Sequence, residues 1–290
     1  MIKISKWFNR LNKFFSCLRR VHNLNDVYQL KKIWKTQGSH GKVYEGKHIN
    51  SHEQVVIKYI PRKFIHSLEI ECLKKFSHPN IVQYIERFET KDGVYIVTEK
   101  CEGDLFDLII LKGGRFHTEN EVSYIIRQIL LGLDYIHQKH IVHCDLKLSN
   151  IIYKKENDPI IKIIDFGSSQ YINQDQFLEI LVGSTSFIAP EVLSGSYNKS
   201  CDLWSIGCIV FCMLFGYNPF NPNAQLGRND VFCNILKGFS PEVKKGYGAF
   251  FPDHIYISPS AKHFISNLLV LDWRNRMTIQ EALNHPWLKK

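Results

Sequence analysis

The sequence predicts an α+β chain with a small strand-rich part followed by a larger helical part. Three observations carry this. Between residues 28 and 99 the apolar residues fall in short β-branched or aromatic runs at 43–44, 55–60 and 94–98. From Leu105 onward the apolar spacing is helical, with Val122, Ile125, Ile126, Ile129 and Leu133 on one stripe. The longest apolar run, 204–215, is too short for the roughly 20 residues that span a bilayer, so it reads as a buried core helix.

Length and composition fit this picture. The chain has 290 residues, 44% hydrophobic and 22% charged, which argues against disorder and allows ample core. The net charge of +9 fits a Lys-rich globular protein as well as one that meets an acidic partner. Eight cysteines contain no CxxC pair, so neither a zinc site nor a secreted disulfide framework is expected. A reduced, cytoplasmic compartment fits best. No nucleic-acid motif is visible, and no nucleic-acid partner is expected.

The elements follow in order. Residues 1–27 form a basic segment, without Asp or Glu up to residue 25. Ile4, Trp7, Phe8, Leu11, Phe14, Phe15 and Leu18 share one helical stripe, with Lys6, Arg10, Lys13 and Arg20 opposite. Such a helix can lie on a membrane surface, dock on a protein partner or pack on its own domain, and the residues leave these readings open. Residues 28–99 supply the strands and one helix over 68–76, ended by Ser77-His78-Pro79. Residues 99–103 read as a linker. Residues 104–288 are mainly helical, with two short strands at 150–153 and 160–164. This order suggests two lobes with a cleft between them.

The chemistry-bearing residues come next. Gly38-Ser-His-Gly41-Lys-Val43 lies between two strands, where glycines let backbone approach phosphate oxygens. A plain hairpin turn would explain it equally well. It is not a Walker A loop, because Val43 follows Lys42. Lys58 ends the apolar run at 55–58, and a buried lysine there needs an anion such as Glu69 on the following helix. His143-Cys-Asp145-Leu-Lys147-Leu-Ser-Asn150 precedes one strand, and Asp165-Phe-Gly167 follows the next. Asn150 and Asp165 offer hard oxygen ligands for Mg²⁺, Asp145 a base and Lys147 a cation, the set that phosphoryl transfer needs. His137, His140 and His143 recur every three residues, but His137 ends a helix and His143 belongs to the catalytic motif, so a metal site is not expected. His48 and His52 flank a hairpin turn and read as solvated.

With these motifs in this order, and with Ala189-Pro190-Glu191, Asp202-Leu-Trp-Ser-Ile-Gly207 and Arg276 after them, the chain resembles the eukaryotic protein kinase family over 28–288. Lys147 in Asp-Leu-Lys-x-x-Asn looks like the serine/threonine type. His78-Pro-Asn-Ile-Val82, Gly103-Asp-Leu-Phe106 and Asn284-His-Pro-Trp287 look like the calcium/calmodulin-dependent and calcium-dependent branch. The resemblance implies a bilobal fold, with an N-lobe over 28–99 and a C-lobe over 104–288. It also implies transfer of the ATP γ-phosphate to Ser or Thr of protein substrates, with Mg²⁺ as cofactor. Gly38, Gly41, Val43, Val56, Lys58, Thr98, Glu99, Cys101 and Ile152 would surround the nucleotide. Glu69 would hold Lys58, Asp145 and Lys147 would act on the reacting groups, and Asn150 and Asp165 would bind the metal. Leu73, Tyr84, His143 and Phe166 would stack, Glu191 would pair with Arg276, Asp202 would brace the catalytic loop, and Ser184 would face Asp145 and Lys147.

Four departures qualify the resemblance. Thr36 stands for the first glycine of the loop, and Val56 for the usual alanine. Cys144 stands where the family carries an arginine that binds an activation-loop phosphate, so activation without that phosphate is expected. No Asp-x-Asp-x-Asp-Gly loop and no tail after Trp287 are present, so direct calcium regulation is not expected. Asp104 would read a basic residue upstream of the target. The same fold could also serve as a scaffold without turnover, which usually goes with loss of the strand Lys or a catalytic Asp; Lys58, Asp145 and Asp165 are all present.

Overall fold

The structure is a computed structural model and describes residues 23–35, 41–154, 159–173, 176–241 and 249–289. The apolar stripe over 1–22, Thr36 and Gly38 lie outside the described residues. Two compact units are present: residues up to 65 together with 84–100, and residues 66–83 together with 101–290.

The first unit is an antiparallel five-stranded sheet behind a short helix. Helix α1 (Leu24–Val27) is closed by a capping box between Asn23 and Asp26. Strands β1 (Tyr28–Lys35), β2 (Lys42–His48), β3 (Gln54–Pro61), β4 (Tyr84–Glu89) and β5 (Gly93–Glu99) pair in the order β1-β2-β3-β5-β4. Alternation sorts their side chains between two faces. Leu24, Tyr28, Val55, Ile57, Phe88 and Val97 make the core on one face. Val56 and Lys58 point the other way, opposite Thr98 and Val43 respectively in the ladder. His48 is half-buried rather than solvated: its Nδ1 accepts the Ser51 N–H at 3.0 Å and its ring meets the Tyr28 ring edge-on at 5.3 Å.

The second unit is mainly helical. It opens with α2 (Ser67–Lys75), continues through β6 (Gly103–Asp104) and α3 (Leu105–Leu111), and turns on the long α4 (Glu119–Gln138). Short strands β7 (Ile141–Val142), β8 (Ile151–Tyr153), β9 (Ile161–Ile163) and β10 (Gln170–Tyr171) follow. Then come α5 (Pro190–Leu193), α6 (Ser200–Phe215), α7 (Arg228–Lys237), the pair β11 (Phe239–Ser240) and β12 (Ala249–Phe250), α8 (Pro259–Leu268) and α9 (Ile279–Asn284). Helix α6 is the centre of the core. Every residue from Cys201 to Phe215 is buried, as an all-round apolar helix must be. The α4 stripe of Val122, Ile125, Ile126, Ile129 and Leu133 is fully buried as well. Each such side chain contributes about 1.5–3 kcal/mol by leaving water. Among the described residues no helix is long and apolar enough to cross a membrane.

The stretch 66–83 packs with the helical unit for visible reasons. The Phe76 ring lies 5.7 Å from Tyr135 on α4 and 5.2 Å from Phe166. The Asn80 side-chain amide donates to Ile161 O at 2.9 Å and Gln128 Oε1 at 3.1 Å. Ile81 bridges to Ile163 on β9.

The corner after α9 is built from polar groups around Trp287. Its indole N–H donates to Glu119 Oε2 at 2.9 Å, and the Ser258 hydroxyl donates to the same oxygen at 2.7 Å. His285 is buried; its Nδ1 accepts the Trp287 backbone N–H at 3.2 Å, so its proton sits on Nε2 and goes to His263 Nδ1 at 2.8 Å. Burial, and then His263, hold His285 below the ordinary histidine value of 6.5. The neutral ring is therefore the folded form, and stability is fully present above 6.5 and declines as pH falls through it toward the depressed value. We expect the melting temperature to drop over that window. His285→Gln should flatten the drop, and an identical pH profile in the variant would refute the assignment.

Candidate active site

The catalytic-loop residues are held by the buried helix α6. Asp202 sits in its first turn, 1% exposed. Its Oδ2 accepts the His143 backbone N–H at 2.9 Å and the His137 Nε2–H at 2.8 Å, and its Oδ1 accepts the Cys144 N–H at 2.9 Å. Burial alone would raise this carboxyl, but His137 and the backbone donors outweigh it and hold it below the usual carboxylate range. His143, fully buried, sends Nε2 to Ile164 O at 3.0 Å and lies 5.3 Å from the Phe166 ring. His137 and His143 are thus structural.

This brace presents four of the expected polar groups as a network. Lys147 Nζ donates to Asp145 Oδ2 at 2.7 Å and to Ser184 Oγ at 2.8 Å. Asn150 Nδ2 donates to Asp145 O at 2.8 Å and to Asp145 Oδ2 at 3.2 Å. The opposite oxygens are left over. Asp145 Oδ1 and Asn150 Oδ1 are both buried and accept no hydrogen bond from the described residues. A buried unmet acceptor costs about 1–3 kcal/mol, so such a pair marks a place built for something that donates or coordinates.

The Asp165-Phe-Gly turn lies beside α2. Asp165 takes a left-handed conformation, φ 64° and ψ 79°. A side chain placed on Gly167 would come within 3.3 Å of Asp165 Oδ1 and 3.5 Å of Glu69 Oε2, so both carboxylates border that glycine. Glu69 is 3% exposed. Asn150 and Asp165 are hard oxygen donors, and a donor set of this kind fits Mg²⁺.

On the strand unit, the ladder makes Val43 the neighbour of Lys58 and Val56 the neighbour of Thr98, all half-buried. Lys58 is therefore less enclosed than a fully buried strand lysine. Gly41 precedes β2, and Glu99 ends β5. In the helical unit Cys101 is buried and Ile152 is the central residue of β8.

Two further pieces hold the stretch after the Asp-Phe-Gly turn. Arg276 pairs with Glu191 through two bonds of 2.5 and 2.8 Å. Tyr197 donates its hydroxyl to Ile180 O at 2.7 Å, and its backbone bridges to Leu178. Sequence reasoning did not single out Tyr197, and no local motif marks it. Asp104 is 4% exposed and caps α3 by accepting the Asp107 N–H at 2.9 Å. The cap uses one of its two carboxylate oxygens, Oδ1.

A model of the protein kinase domain matches residues 33–288. The chain belongs to the protein kinase domain family. Calcium-dependent protein kinase 5 of Plasmodium falciparum is 37% identical over 275 residues, which cover 92% of this chain and 46% of that protein. Calcium-dependent protein kinase 3 of Plasmodium yoelii yoelii is 36% identical over 277 residues, 92% of this chain and 49% of that protein. Calcium/calmodulin-dependent serine/threonine-protein kinase 1 of Oryza sativa subsp. japonica is 36% identical over 248 residues, 82% and 40% respectively. The chain thus spans about half the length, or less, of these relatives. Protein kinases generally use ATP and Mg²⁺ and act on protein substrates.

Proposed function

We propose that this protein kinase domain transfers the γ-phosphate of ATP to serine or threonine hydroxyls of protein substrates. The observation that carries the reading is the pair of unmet buried oxygens, Asp145 Oδ1 and Asn150 Oδ1, beside the Lys147–Ser184 bond.

Each residue has a part. Asp145 Oδ1 takes the hydrogen bond of the acceptor hydroxyl and receives its proton late, while Lys147 and Asn150 fix the other oxygen so that the carboxylate cannot turn away. Lys147 also supplies positive charge to the moving phosphoryl group. Ser184 fixes that ammonium from the far side. Asn150 and Asp165 would hold Mg²⁺, which when bound would neutralise charge on the phosphate oxygens. Lys58 would meet the α- and β-phosphates, the role that the family pattern gives the strand lysine, with Glu69 as the carboxylate that the same pattern assigns to it. Gly41, just before β2, would bring its backbone N–H to the phosphates. By the family pattern Val43, Val56 and Ile152 would flank the adenine, with Thr98, Glu99 and Cys101 along its edge.

The test is transfer of labelled γ-phosphate from ATP with Mg²⁺ to a mixed Ser/Thr peptide array. The wild-type chain should label Ser and Thr peptides, and Asp165→Asn should lose transfer. Tyrosine-only labelling, or none from a wild-type sample that melts cooperatively, would overturn the reading.

A further inference from the structure

Ser184, whose hydroxyl takes the Lys147 ammonium at 2.8 Å, is anchored differently on its two sides. Beyond it the chain is tied down twice. Ser205 on α6 donates its hydroxyl to Phe187 O at 2.8 Å, and the Asn218 amide donates to Ser186 O at 2.8 Å. Ahead of it, residues 177–183 are hydrogen-bonded to one partner. Among the described residues their bonds go to Tyr197: the Leu178 N–H to Tyr197 O at 2.7 Å, the Tyr197 N–H to Leu178 O at 3.1 Å, and the Tyr197 hydroxyl to Ile180 O at 2.7 Å. Phe177 adds an edge-on ring contact with Trp273 at 5.6 Å.

The two sides of this clasp differ in firmness. Tyr197 is fully buried, just ahead of α6. Phe177, Glu179, Ile180, Leu181 and Gly183 are exposed, so burial does little to fix the stretch, and stretches of that kind open locally at small cost. The sequence also leaves no place here for a phosphate to do the holding. Residues 172–183 contain no Ser, Thr or Tyr, and Cys144 stands where a phosphate-binding arginine would be.

We propose that Tyr197 is a positioning residue for phosphoryl transfer: it clasps 178–180 and thereby sets Ser184 against Lys147. The effect on transfer rests on the function proposed above; the clasp itself does not.

The route is short. Leu181, Val182 and Gly183 separate the clasped carbonyl from Ser184. Gly183 packs on the catalytic loop so closely that an added Cβ would stand 2.6 Å from Cys144 O. With Ile180 released, Gly183 can lift from that carbonyl and carry Ser184 with it. Lys147 then keeps Asp145 Oδ2 but loses its second fixed partner. Its ammonium wanders from the place where the moving phosphoryl group needs charge. Tyr197 touches no reacting group, so its effect belongs to kcat and not to nucleotide binding.

Tyr197→Phe deletes the hydroxyl and keeps the ring and the backbone bridge. In the full chain, kcat for peptide phosphorylation should fall about three- to tenfold, the worth of one hydrogen bond, with KM for ATP and the melting temperature near wild type. Hydrogen exchange should quicken by a similar factor at the Leu178 amide and its neighbours, and stay unchanged in α4. Leu178→Pro removes a donor of the same clasp from the exposed side and should reproduce both effects without touching the core. The route is tested by a double-variant cycle: added to Ser184→Ala, Tyr197→Phe should lower kcat no further. Independent, additive losses would overturn the route through Ser184. A wild-type kcat in both clasp variants would overturn the positioning role. A melting temperature that falls with kcat in Tyr197→Phe, beside a normal Leu178→Pro, would make Tyr197 a core residue and nothing more. Faster exchange in both variants, with no transfer from the wild type, would leave the clasp standing and sink the kinase reading instead.

Discussion

Asp145→Asn lowers kcat for peptide phosphorylation by about 10²- to 10⁴-fold, while the melting temperature and the nucleotide-induced melting shift stay near wild type. The substitution is isosteric and removes one charge at one spot. Asp145 Oδ2 is already committed, to Lys147 Nζ at 2.7 Å and Asn150 Nδ2 at 3.2 Å, so Oδ1 is the oxygen available to an acceptor hydroxyl. An amide presents one oxygen and one N–H₂ group. If the oxygen stays with Lys147, the nitrogen faces the incoming hydroxyl and offers a proton where one must be received. If the amide flips, the hydroxyl meets a poor base and two donors face Lys147. Neither orientation accepts a proton. The fold should be indifferent, because the loop is held by Asp202 and not by Asp145. Steady-state kinetics beside thermal melting checks this. An unchanged kcat would remove Asp145 from the reaction, and a collapsed melting temperature would make it a structural residue.

The helical unit and its polar network were legible in the sequence because they are local. Asp145, Lys147 and Asn150 lie within six residues, so their spacing alone brings them together once one short turn forms. The braces were readable only through the family resemblance. Asp202 is 58 or more residues from the groups it holds, and nothing in its own surroundings says which backbone it will meet. The strands that went unassigned, β1 and β4, explain themselves. β1 is rich in lysine and β4 carries three charged residues in six, Glu86, Arg87 and Glu89, so neither forms an apolar run; both lie at the sheet edges, where one flank has no strand neighbour. The two-residue pair β11 and β12 is too short to carry a period. Tyr197 escaped notice because its role depends on where 178–180 comes to rest, a tertiary fact. Asp104 carries a second part that its motif did not announce: an Asp before an apolar helix is also a standard N-cap, and its Oδ1 caps α3.

Removing half of the Glu191–Arg276 pair should be the most destabilising single change in the helical unit. The Arg276 side chain is 0% exposed and the Glu191 side chain 6%, joined at 2.5 Å. Arg276 also donates to Ser200 O at 2.9 Å and Val270 O at 3.0 Å, and its guanidinium lies 5.2 Å from the Trp204 ring. It therefore ties α5, the first residue of α6 and the segment before α9 to one point. Arg276→Met keeps much of the volume but leaves a carboxylate buried without its countercharge, at a cost of about 3–5 kcal/mol. That is a large share of the roughly 5–15 kcal/mol by which domains of this kind are stable. The double variant Arg276→Met with Glu191→Leu separates two explanations. If the damage is the stranded charge, the double variant recovers most of the lost stability in urea melts, because no ion remains to be solvated. If the damage is loss of the donors to Ser200 and Val270, the double variant stays as unstable as Arg276→Met alone. We expect recovery, because a stranded ion costs more than two carbonyls that lose neutral-acceptor bonds, two at Val270 O and one at Ser200 O. No recovery would mean that Arg276 acts as a hydrogen-bonding clasp on α6, with Glu191 only keeping its charge company.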